Sequence, residues 1–87
     1  MSISNNYIRA ISEGRTTVRK RKHINSPVLI RFLPYYNERN LKVTPDPVLV
    51  KTSEPIDLCS IDGITLERVK NSTLEAAVAA GRLEFVR

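Results

Sequence analysis

A small α+β fold is predicted: a mostly antiparallel sheet, a short N-terminal helix, a basic extended arm and one capped C-terminal helix. Three observations predict it. Short apolar runs at 28–33 and 48–52 are bounded by prolines, which suits strands in a small sheet. The segment S-T-L-E-A-A-V-A-A-G at 72–81 carries a helix start and stop. The excess charge is confined to the first 25 residues, where six cations (Arg9, Arg15, Arg19, Lys20, Arg21, Lys22) face one acid, Glu13; residues 26–87 hold eight of each sign. The division expected is therefore a helix plus arm at 1–25 and an α+β body at 26–87.

The first element is a helix over 4–14. Ser4 or Asn5 can cap it, Tyr7, Ile8 and Ile11 share one face, and Gly14 ends it. At under three turns it needs a surface to dock on. T-T-V-R-K-R-K-H-I at 16–24 follows. In an extended chain Val18, Lys20, Lys22 and Ile24 lie on one face, with Thr17, Arg19, Arg21 and His23 on the other. Neither face is apolar, so an edge strand or extended arm is expected rather than a central strand. The same reading expects the first ~25 residues to be mobile in the isolated chain.

Val28 to Leu33 is the most hydrophobic run and a strand between Pro27 and Pro34. Y-Y-N-E-R-N at 35–40 reads as a polar turn leading through a wide hairpin into 41–43. T-P-D-P then breaks pairing, and 48–52 forms another strand. In I-D-L-C-S-I-D-G-I-T-L-E-R-V, two strands are expected to meet at Asp62-Gly63, a pair suited to a tight hairpin turn. Ser72 and Glu75 have capping-box spacing for the last helix, Gly81 stops it, and 83–86 reads as a final short strand.

Several functional classes are disfavoured. Cys59 is the single cysteine, which excludes an intramolecular disulfide. With His23 the single histidine, 36 positions away, neither a nucleophilic dyad nor a clustered metal site is expected. Cys59 reads as a small buried hydrophobe and His23 as an exposed surface residue. The three glycines are explained by helix stops and a turn, leaving no phosphate-cradling loop. No catalytic, cofactor-binding or metal-binding residue is assigned. No apolar run approaches the ~20 residues that span a bilayer, and no signal-peptide core is present, so an intracellular or virion setting is expected.

The basic segment then carries the discrimination. Arg15, Val18, Arg19, Lys20, Arg21, Lys22 and Ile24, with the loop aromatics Tyr35 and Tyr36, are the expected partner contacts. The leading expectation is a non-enzymatic structural or interaction subunit of a larger protein assembly, with homo-oligomerisation an additional option. A virus or bacteriophage particle is the first candidate, with this chain as capsid cement or a minor tail protein. The alternative is a small nucleic-acid-binding regulator using Arg19 to Lys22 on phosphates. It ranks lower because no aromatic is interleaved with the run to stack on bases.

Overall fold

The computed structural model describes residues 4–86. Among them, α1 (Ser4–Ser12) leads into β1 (Thr17–Lys20), β2 (Val28–Ile30), β3 (Tyr35–Tyr36), β4 (Lys42–Val43), β5 (Val48–Val50) and β6 (Ile56–Asp57). A single 3-10 turn (Leu58–Ser60), α2 (Leu66–Lys70), α3 (Leu74–Ala79) and β7 (Leu83–Phe85) complete the chain. The fold is α+β with short antiparallel ladders. A three-stranded sheet has the order β6-β1-β7, and β2 pairs with β5 and β3 with β4.

The basic segment is not an edge. β1 lies between β6 and β7, with Val18 opposite both Ile56 and Phe85, so it pairs across the expected division at residue 25. Two side chains explain why. Val18 is fully buried, and Lys20 is only 8% exposed because its stem lies in the core while Nζ donates to the Ile24 carbonyl at 2.8 Å. The alternate face carries Arg19, whose Nε donates to Glu84 on β7 at 2.7 Å. Paired on both sides, β1 is a central strand rather than the edge strand or extended arm expected from its charge.

α1 buries Tyr7, Ala10 and Ile11, whose 3–4 spacing makes one stripe; Ile8 points outward at 58% exposure, contrary to expectation. The cap expected at Ser4 or Asn5 involves side chains outside the described residues. Both α1 and α3 end in the same backbone device. Gly14 N–H donates to Ile11 and Arg15 N–H to Ala10; Gly81 N–H donates to Val78 and Arg82 N–H to Ala77. These are Schellman closures with left-handed glycines at φ 75° and 73°, and each turns the chain into a strand of the central sheet.

The expected hairpin at Asp62-Gly63 does not form. Leu58–Ser60 winds into the 3-10 turn, where Asp57 Oδ1 accepts from Cys59 N–H at 3.1 Å and from Thr16 Oγ1 at 2.6 Å. Gly63 takes a positive φ of 83°, and Thr65 then caps α2 by accepting from Arg68 N–H. Ile64 and Val69 hold the staple positions on either side of this cap, and both are buried. Tertiary burial of that apolar pair overrides the strand preference of I-D-G-I-T. Cys59 is exposed on the 3-10 turn, not buried in a strand.

The capping box at the last helix is also displaced. α3 starts one residue late, and Ser72 Oγ accepts from Leu74 N–H at 3.2 Å while donating to Val69 O. Thr73 serves β2 instead: its Oγ1 accepts from Arg31 N–H, and its own N–H donates to Arg31 O. Arg31 to Leu33 thereby pairs with residues 71–73, so the strand read over 28–33 changes partner after Ile30. The hairpin into 41–43 forms as expected, but Tyr35 and Tyr36 are its first strand rather than part of its turn; Asn37 Oδ1 tightens the turn by accepting from the N–H groups of Arg39 and Leu41.

The core gathers Val18, Val28, Ile30, Leu58, Val69, Leu74 and Leu83, all essentially inaccessible to solvent. Tyr7 closes it from α1. Its hydroxyl donates to the Lys70 carbonyl at 3.3 Å, where α2 leaves acceptors unpaired, and its ring tilts against Phe85 at 6.2 Å. Burial raises the Tyr7 phenol above its ordinary pKa, and the nearby charge of Glu75 adds to the effect.

Candidate docking surface

The nine residues expected to meet a partner divide into three groups. Val18 and Lys20 are interior, and Ile24 is half-buried against the core. Period-two alternation along β1 turns Val18 and Lys20 away from solvent, and Ile24 packs inward from the turn that follows the strand. Arg19, Arg21 and Lys22 are exposed, and Arg15 is half-exposed. Tyr35 and Tyr36 lie elsewhere, on β3. The Arg68 guanidinium covers the Tyr35 ring at 3.4 Å, while Tyr36 is 67% exposed beside Leu33 and Pro34.

Glu84 organises the exposed cations. Its Oε2 accepts from Arg19 Nε at 2.7 Å, and its Oε1 lies 3.5 Å from Arg21 Nη1. The hydrogen bond from Arg19 is the main cause holding its carboxyl below the usual glutamate range. Partial burial opposes this, and the charges of Arg19, Arg21 and His23 reinforce it. These ion pairs are open to water, so they place guanidinium groups more than they stabilise the fold.

Two clefts meet at this carboxylate. One, of about 420 Å³, is lined by Arg19, Arg21, Lys22, His23, Ser53 and Glu84. The other, of about 440 Å³, runs between α1 and β7 and includes Arg9, Arg15, Arg21, Glu84, Leu83 and Phe85 in its lining. Arg21 and Glu84 line both.

Arg9 is the residue that sequence reasoning missed. It lies ten positions before Arg19 and outside the cationic run. Helical spacing supplies the missing signal: Arg9 sits about 100° around α1 from the buried Ala10 on one side and from the exposed Ile8 on the other. A position at the margin of the buried stripe overhangs whatever the helix docks on. Here that is α3, which leaves Arg9 facing β7 across the cleft, and the Schellman turn at Gly14 brings Arg15 to the same cleft.

Among the described residues no group of three His, Cys, Asp or Glu side chains could hold a metal ion, and no helix is long and apolar enough to cross a membrane. Comparison with protein-family models, with curated proteins and with solved structures finds no match.

Proposed function

We propose that this chain is a non-enzymatic interaction subunit that docks onto a larger, acidic protein surface through Arg9, Arg15, Arg19, Arg21 and Lys22. One observation carries the reading. These five cations come from a helix, a turn, a strand and a loop, and they line two adjoining clefts in which Glu84 is the one acidic lining residue among those described, with Glu13 beside Arg15 at 3.4 Å. A net positive field of this shape steers association with an anionic surface and sets orientation. Arginines outnumber lysines four to one in the set, which favours planar, bidentate recognition of carboxylates. The neutral remainder of the chain serves as the mount.

The test is binding to poly-L-glutamate and to a DNA duplex of matched charge, measured by fluorescence anisotropy at two salt concentrations. Tighter binding to polyglutamate, weakened in the variant carrying Arg9→Gln, Arg19→Gln and Lys22→Gln, is the expected result. Tighter binding to the duplex, with a salt slope of about −4 for roughly four phosphates neutralised, overturns it in favour of nucleic acid.

A further inference from the structure

Among the described residues β7 is an edge strand with one unpaired side. Val86 N–H donates to Thr17 O and Arg21 N–H to Arg82 O, both at 3.0 Å, on either side of the Arg19–Glu84 pair. Antiparallel ladders alternate bonded and non-bonded pairs. The Val18–Phe85 pair is therefore non-bonded, and the N–H and C=O of Phe85 point away from β1. Neither group has a hydrogen-bond partner among the described residues. Phe85 is half-buried and reachable from the α1–β7 cleft that it lines.

The opposite edge of the same sheet is blocked. β6 is two residues long, follows Pro55 and passes at once into the 3-10 turn. Proline and a short strand are the usual protections of an edge. β7 is also short, at three residues, but no proline lies in or beside it.

The cleft beside Phe85 is net positive. Arg9, Arg15 and Arg21 line it; Arg15 lies 3.4 Å from Glu13, and Arg21 shares Glu84 with Arg19, so the cations outnumber the acids that meet them. We infer that an extended, acidic segment of the partner lies along β7 in this cleft, hydrogen-bonding the outward peptide groups of Phe85 and placing carboxylates on Arg9, Arg15 and Arg21. The inference rests on the docking reading above and names the ligand of one of its two clefts. Strand addition explains why three cations should surround an open edge: main-chain bonds set the register, and alternate side chains of the added strand meet the arginines. A second copy of this chain is the wrong occupant, since edge-to-edge pairing through β7 would set three arginines against the same three.

The probe is a short fluorescein-labelled peptide of alternating glutamate and serine, titrated against the full chain. Three double variants remove equal charge: Arg9→Ala with Arg15→Ala in the cleft, Arg19→Ala with Lys22→Ala on the neighbouring cleft, and Arg39→Ala with Lys42→Ala on the β3–β4 hairpin. The cleft variant is expected to weaken binding by about tenfold or more, and the hairpin variant by less than about twofold, in line with charge-assisted hydrogen bonds against diffuse charge. Circular dichroism of each variant confirms that the fold is retained. The amide proton of Phe85 should shift on peptide addition, as an unpaired N–H gaining an acceptor does.

Equal weakening by all three variants, or an unmoved Phe85 amide, overturns the strand-addition site. If only the Arg19 and Lys22 variant weakens binding, the cleft proposal falls while docking on an acidic surface stands. No binding of the peptide or of polyglutamate by the wild type refutes both.

Discussion

Truncating Val18 tests whether β1 belongs to the folded core of the isolated chain. Val18 is fully buried between Ile56 and Phe85. Val18→Ala removes two carbons, worth about 1.6 kcal/mol of transfer free energy at roughly 0.8 kcal/mol each. The cavity left behind, on the order of 50 Å³ at about 24 cal/mol per Å³, adds roughly 1.2 kcal/mol. A loss of about 2.5–3 kcal/mol corresponds to a fall in Tm of roughly 10–20 °C for a domain of this size. Thermal melts followed by far-ultraviolet circular dichroism measure it, with Ile8→Ala as the control. Ile8 is 58% exposed, so that variant should stay within about 0.5 kcal/mol of wild type. A Val18→Ala shift as small as that of Ile8→Ala would show an unpacked arm and refute the placement of β1 at the sheet centre. Deleting residues 1–25 cannot serve this purpose: it removes the middle strand, so lost binding and lost folding would look alike.

Glu84 should titrate below the range of a glutamate in an unfolded peptide, because the Arg19 hydrogen bond stabilises its charged form. A depressed folded-state pKa contributes stability above the ordinary glutamate range, and that contribution fades as pH falls through the depressed value. A carboxyl-carbon NMR titration with its midpoint at or above the ordinary range would contradict this, and Glu84→Gln should flatten that part of the stability profile. Gly14→Ala and Gly81→Ala should each lose about 1 kcal/mol in urea melts, entirely through the left-handed backbone, since an added Cβ meets nothing within 4 Å at either site. Unchanged midpoints would show that neither Schellman turn is held. Cys59 should react fully with Ellman's reagent in the native state, as an exposed thiol does; slow reaction matching the unfolding rate would place it in the core.

Much of the fold was legible where punctuation and burial agree. Gly14 and Gly81 mark helix ends because only a left-handed residue closes the last turn there. Val28 to Ile30 and Val48 to Val50 read as strands because prolines isolate them and β-branched residues fill them. Lys20 shows the limit. Counted as a charge it makes β1 an edge, but its four-carbon stem behaves as a hydrophobe and its ammonium finds the Ile24 carbonyl. Asp62-Gly63 shows another. The dipeptide serves equally before a hairpin or a helix, and the choice was written further on, in Thr65 and the Ile64–Val69 pair. Of the docking surface, the run from Arg19 to Lys22 was visible as charge. Its division into an inner lysine and outer arginines depended on the strand's partners, and the recruitment of Arg9 depended on where α1 docks.

Pairing β1 with β7 joins residues 65 positions apart at Arg19 and Glu84. Closing a loop of that length is about 1.7 kcal/mol less favourable in chain entropy than closing one of roughly ten residues, so this ladder forms late in folding. During synthesis the basic strand must wait, unmated on that flank, until Leu83 to Phe85 has cleared the ribosome. In that interval its cations and its backbone are open to anything anionic nearby, and the newborn chain is stickier than the finished one.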